Sequence, residues 1–246
     1  MGKNSILTYG IIAYVAFLVT ILYAIGFVGN WVVPKSIDTG TTGPIGQSIL
    51  INVVLLSLFA IQHTIMARPA FKTWWTKIIP VSIERSTFVL ATSLLLLLLF
   101  WQWRPMPTVI WHIDQPVIST VLQGLSLVGW MMVFYSSFLI DHFDLFGLRQ
   151  VILHFRGKEY THPTFVVRSL YRWIRHPLMA GFLVAFWFTP TMTHGHLLFA
   201  VVTTGYIFFG IWVEERDLAK VLGEEYAKYR QRTAMIIPFP KSKMGT

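Results

Sequence analysis

The chain has 246 residues, 54% of them hydrophobic and only 13% charged, with a mean hydropathy of +0.59; that balance excludes an ordinary soluble domain and predicts an integral membrane protein. Its formal charge of +9 sits between apolar runs, as cationic anchors at a bilayer surface do, so nucleic acid is not an expected partner. With no cysteine, disulfides, thiolate metal sites and cysteine nucleophiles are excluded.

The first apolar run, Ile6 to Val28, is longer than the core of a cleavable signal and no clean small-residue cleavage site follows it, so it is read as a retained span. About 20 apolar residues cross a hydrocarbon core, and six spans are predicted, at 6–29, 47–66, 86–103, 117–140, 177–192 and 195–213. The fifth is the shortest, and Thr189-Pro190 and Gly195 make it and the sixth a tight helical hairpin. Leu218, Val221, Leu222, Tyr226 and Tyr229 recur at helical spacing among charges and predict an amphipathic helix along the interface. With both termini in the cytoplasm, eighteen of the 20 basic residues fall inside and only Lys35 and Arg104 outside, which sets an even number of spans and their orientation. The expected fold is all-α: a polytopic membrane helical bundle of six transmembrane helices plus a cytoplasmic amphipathic helix. Every 60-residue stretch holds a long apolar run, so residues 1–246 are expected to form a single membrane-embedded domain whose chemistry faces the cytoplasm.

Two constellations near the cytoplasmic ends of the last two spans can carry chemistry. Arg175-His176-Pro177 opens the fifth span. Proline is favoured at the first helical position, which leaves free backbone N–H groups directed toward Arg172, Arg175 and His176, an arrangement suited to a carboxylate or phosphate. Read blandly, the same residues are membrane anchors with a helix-starting proline. Glu214-Glu215 lies where the sixth span emerges. Two carboxylates beside an apolar helix need cationic partners, either nearby arginines such as Arg216 or the ammonium of a ligand; about 100° apart on a helix, they can divide those two jobs. The hairpin sets both constellations at the same depth, a carboxylate site facing an ammonium site, as an α-amino acid would require.

The series Tyr171, Arg175-His176-Pro177-Leu178-Met179-Ala180-Gly181, Glu214-Glu215, Gly223-Glu224-Glu225-Tyr226, Tyr229-Arg230 and Ile237-Pro238 resembles the C-terminal signature of isoprenylcysteine-type membrane methyltransferases. The resemblance implies S-adenosyl-L-methionine as co-substrate, bound within 168–240 by Tyr171, Arg172, Arg175, His176, Gly181, Glu214 and Glu215. Met179 stands where that family commonly has tyrosine, so no hydroxyl is offered there. Further motifs cover nearly the whole chain: Gln62-His63, Met66-Ala67-Arg68-Pro69, Trp74-Trp75, Ile83-Glu84-Arg85-Ser86-Thr87, Trp101-Gln102-Trp103-Arg104-Pro105 and the run from Asp141-His142-Phe143-Asp144 to Gln150. These are similar to the bacterial methanethiol S-methyltransferases of the nurim-related group. That similarity implies methylation of a small volatile thiol, methanethiol, to dimethyl sulfide by a protein of the bacterial inner membrane. A same-fold enzyme acting on a prenylcysteine or phospholipid amine, and a non-enzymatic membrane protein keeping the fold, are the alternatives. No G-x-G-x-x-G fingerprint occurs, so a soluble Rossmann methyltransferase is not the template.

A thiol of ordinary pKa is mostly protonated at neutral pH, so a proton acceptor is expected. His63, within the second span about five residues from its end at Arg68, is one candidate; an intramembrane histidine is a functional hypothesis, or else a hydrogen bond between helices. Asp141 and His142 are the others, with Asp141 able to orient His63 across helices, or alternatively to cap the loop and neutralise Arg149. His194 and His196 flank Gly195 on the far hairpin tip with no third ligand in view, so no metal is expected.

Overall fold

The computed structural model describes residues 2–161 and 165–238. In chain order the helices are α1 (Lys3–Gly29), α2 (Ile45–Ala67), α3 (Pro69–Trp75) and α4 (Val81–Gln102); strand β1 (Val109–His112) precedes α5 (Pro116–Ile140), α6 (His142–Leu145) and α7 (Leu148–Phe155). A 3₁₀ turn (Ser169–Arg172) leads to α8 (Pro177–Trp187), strand β2 (Thr191–Thr193), α9 (His194–Leu222) and α10 (Glu224–Arg232). Local chemistry explains the starts. Pro44 and Pro80 immediately precede α2 and α4, and Pro69 and Pro177 occupy the first turns of α3 and α8, where a missing N–H costs nothing and the fixed φ suits the helix. Asn30, left-handed at φ 57°, closes α1 by returning its N–H to the Gly26 carbonyl.

Five helices, α1, α2, α4, α5 and α9, are long and apolar enough to cross a membrane, and the chain is a mostly helical, polytopic membrane protein. The predicted fifth span differs. Its helix, α8, stops at Trp187 after 11 residues, which at 1.5 Å per residue covers only about half of a hydrocarbon core of about 30 Å. Pro190 cannot continue a helix, and residues beyond it pair instead: β2 runs antiparallel to β1, with Trp111 opposite Met192 and His112 opposite Thr191. The predicted tail helix begins as an unbroken extension of α9 to Leu222, then breaks at Gly223 (φ 55°) before α10. Residues 239–240 of the predicted cofactor signature lie outside the described residues.

The helices group into two units, residues 1–112, 141–164 and 191–202 in one, 113–140, 165–190 and 203–246 in the other. In the first, α4 packs against α1 and α2, and α7 against α1. One end gathers Ile6, Ile83 and Val151 into a buried cluster, with Ile79 and Leu148 packed against it. Gly147 (φ 83°) fits against α4 only because it lacks a Cβ, which would stand 2.6 Å from the Ser86 nitrogen; Ser86 Oγ and Arg85 Nε donate to the carbonyls of Gly147 and Leu145. At the other end Asn52, fully buried, exchanges two 2.8 Å hydrogen bonds with the Arg104 backbone, and Trp103 donates to the Ile37 carbonyl. His194 and His196 lie at that end, with the Gly195 N–H on the Met106 carbonyl. Lys3, Arg68, Lys72, Lys77 and Arg149 belong to the first end, Lys35 and Arg104 to the second.

The second unit is built on α5 and α8, which pack closely along each other. They meet through glycines: a Cβ on Gly129 would lie 2.5 Å from Ala185 N and 2.7 Å from Gly181 O, and one on Gly181 2.7 Å from Gly129 O. Close approach of backbones is how helices associate where no hydrophobic driving force separates protein from lipid. Gly129→Val is therefore expected to lower stability by about 1–3 kcal/mol, the usual cost of overpacking, read as a reduced unfolding temperature of the detergent-solubilised protein; an unchanged midpoint would refute the contact.

Candidate active site

The second unit brings the two predicted constellations into direct contact. Arg175 and His176, just ahead of α8, are held by the chain that follows α10: Arg175 N–H donates to the Ala234 carbonyl at 2.8 Å and His176 N–H to Met235 at 3.1 Å. Arg175, 8% exposed, gives Nε and Nη2 to Glu215 Oε1, both at 2.7 Å, and Nη1 to the carbonyls of Thr233 at 2.5 Å and Arg230 at 3.2 Å. Glu215 also receives His176 Nε2 at 3.0 Å and, on its other oxygen, Arg230 Nε at 3.3 Å. A carboxylate between two guanidiniums and an imidazole is compensated, and such a buried pair holds together segments remote in sequence.

Glu214, one residue earlier and about 100° around the helix, has a half-exposed side chain, with Oε2 3.6 Å from His176 Nδ1. Tyr171 lies in the 3₁₀ turn, its carbonyl accepting from the Tyr229 hydroxyl at 2.7 Å; burial and the Glu214 charge push its phenol pKa up. Burial also pushes Tyr229 up to about 12, against the Arg175 charge. Arg172 closes the same turn and is exposed. Gly181 sits in the α5 contact described above. Arg230, Thr233 and Tyr226 were not among the residues predicted for this site. Tyr226 is 1% exposed, and its hydroxyl is buried with no hydrogen-bond partner among the described residues; burial, then the Glu215 charge, raises its pKa. The signal available for it was its place in the aromatic spacing of the tail.

The three predicted proton acceptors all lie in the first unit. His63 stacks on Phe59 (centroids 5.4 Å apart), stands 4.9 Å from the Phe88 ring, and has Nδ1 3.4 Å from Thr92 Oγ1. Asp141 caps α6 by accepting from Asp144 N–H at 3.1 Å and stands 4.0 Å from Arg149 Nε, so its contacts are those of the loop and not of His63. His142 is 3% exposed among Tyr14, Phe17 and Phe146, with Nε2 2.9 Å from the Tyr14 hydroxyl. Burial lowers its pKa, with Asp141 opposing, because desolvation disfavours the imidazolium.

The chain is 57% identical over 234 residues to methanethiol S-methyltransferase 1 of Bradyrhizobium diazoefficiens, covering 95% of this chain and 82% of that protein. It is 54% identical over 240 residues to the methanethiol S-methyltransferase of Mycobacterium tuberculosis, covering 98% of each. Nurim of Bos taurus is 30% identical over 187 residues, 70% of each chain. No family model and no solved structure matches.

Proposed function

The chain belongs to the methanethiol S-methyltransferase family, related to nurim, and from that membership we propose that it methylates methanethiol to dimethyl sulfide with S-adenosyl-L-methionine as methyl donor. The donor supplies an electrophilic methyl on a sulfonium; a C–S bond forms to the thiolate as the donor's C–S bond breaks, leaving S-adenosylhomocysteine. The observation that carries the assignment of its site is the contrast between two adjacent carboxylates, Glu215 buried and consumed by Arg175, His176 and Arg230, Glu214 half-exposed. The residues fit an amino-acid moiety. Glu214 would accept its ammonium, while Arg172 and the first-turn N–H groups of α8 would hold its carboxylate. Arg175, His176 and Glu215 fix α8, α9 and the returning tail, Tyr171 closes the turn beside Glu214, Gly181 keeps α8 seated on α5, and the unpartnered Tyr226 hydroxyl offers a further donor.

Removing water from a reaction that neutralises charge favours it, and positioning supplies the rest. The proton leaves the thiol to one of His63, Asp141 or His142. We place the protein in the bacterial inner membrane as a single methyltransferase domain with six membrane-embedded helices, α8 the short one, both termini cytoplasmic and the α9–α10 extension along the interface. The gathering of Lys3, Arg68, Lys72, Lys77 and Arg149 at one end of the first unit, against Lys35 and Arg104 at the other, supports this orientation.

Membranes given methyl-labelled S-adenosyl-L-methionine and methanethiol are expected to release labelled dimethyl sulfide into the headspace, and its absence would overturn the proposal. In the same assay at least one of His63→Ala, Asp141→Asn and His142→Ala should lower turnover near neutral pH by roughly 10²-fold or more, recovering as pH rises and free thiolate becomes abundant. Wild-type rates in all three across that range would remove the proton acceptors from the mechanism.

A further inference from the structure

At the basic end of the first unit a half-open cavity of about 610 Å³ lies among α3, the start of α4 and residues 144–160. It is of a size that takes a ligand much larger than a one-carbon thiol. Two of the residues lining it, Ser82 and Gln150, each carry a buried side-chain oxygen that hydrogen bonds to nothing among the described residues, a state buried polar atoms seldom occupy without an absent partner. Gln150 spends its nitrogen on the Asp144 carbonyl at 3.1 Å, so its remaining oxygen can only accept. The charges of the wall are of both signs. Asp144 is consumed by Arg149 at 2.9 Å and the Tyr160 hydroxyl at 3.1 Å, which leaves the cations Lys72, Arg85 and Lys158, the carboxylates Glu84 and Glu159, and the imidazole of His154. Among the described residues the Lys72 ammonium makes no hydrogen bond or ion pair, and burial with the Arg85 charge draws its pKa down, Glu84 opposing. One wall is apolar and outward-facing: Val81 is 70% exposed, and Ile78 and Trp74 on the same connection are exposed too.

Cations with an unpaired hydroxyl, an unpaired acceptor with carboxylates, and an apolar lip beside them match one kind of molecule. We infer that this cavity binds the headgroup of a zwitterionic phospholipid, a phosphate carrying a primary ammonium. Lys72, Arg85 and the Ser82 hydroxyl hold the phosphate, Gln150 Oε1 and Glu84 hold the ammonium, and the acyl chains leave across Val81.

The test is native mass spectrometry of the full chain, purified in mild detergent from membranes and re-equilibrated with phosphatidylethanolamine, phosphatidylglycerol or inorganic phosphate. One phosphatidylethanolamine should be retained in preference to phosphatidylglycerol. Lys72→Gln should reduce that retention about tenfold, as loss of a charged hydrogen bond does, and Gln150→Leu should abolish the preference between the two headgroups while leaving lipid bound, both with unfolding temperatures near wild type. Should Lys72→Gln not fold, Ser82→Ala replaces it with a smaller loss of the same kind. Equal retention of the two lipids by the wild-type chain, unchanged binding in the variants, binding of inorganic phosphate with no lipid, or displacement of the lipid by S-adenosylhomocysteine would each overturn the inference, the last by giving the cavity to the methyl donor.

Discussion

Glu215→Gln will destabilise the protein by about 3–5 kcal/mol, the cost of removing one member of a buried ion pair. The side chain is 9% exposed, and its two oxygens receive Arg175, His176 and Arg230. A neutral amide of the same shape must offer an N–H group to cations where a carboxylate oxygen stood, leaving the 6% exposed Arg175 side chain without its counter-charge. The water-accessible Arg230 is the least affected, since its own side chain is 58% exposed and such pairs are worth little. The change should appear as a lowered unfolding midpoint in detergent, with early proteolysis of the segment from α10 onward, whose docking depends on Arg175. A midpoint within about 1 kcal/mol of wild type would show that the pair is dispensable to the fold.

Glu214→Gln should do the opposite. Its half-exposed side chain carries little of the fold, so the unfolding midpoint stays near wild type, while affinity for S-adenosyl-L-methionine falls about tenfold or more. That is the consequence of losing a charged hydrogen bond of roughly 1.5–3 kcal/mol. Isothermal titration of the solubilised protein separates the two variants; cofactor affinity unchanged in a stable Glu214→Gln protein would remove the ammonium from this residue.

That two neighbouring glutamates should have such different fates was only partly legible beforehand. Their adjacency on an apolar helix demands cations, and the 100° between them allows two roles. Which residue faces inward depends on Arg230 and the Thr233 carbonyl, 55 and 58 residues beyond Arg175, and no local pattern encodes a contact of that separation. Helix starts were clearer because proline acts locally, as at Pro177. The end of α8 was not: the apolar run continues past Trp187, and the backbone leaves the helix for a strand partner near residue 111 that hydropathy does not reveal. Asp141 is a similar case. Its carboxylate, read as a possible partner for a distant imidazole, is taken by the nearest donors, the Asp144 N–H and Arg149.

The strap that residues 230–235 form over Arg175 also bears on biosynthesis. Translation delivers Arg175 to the bilayer well before the Arg230 and Thr233 carbonyls have been made, and before Glu215 leaves the ribosome. During that interval the guanidinium is expected to stay in water at the bilayer surface, because a lone cation is too costly to carry inward. The final seating of α8 is therefore expected to follow synthesis of the strap, after its first contact with the membrane.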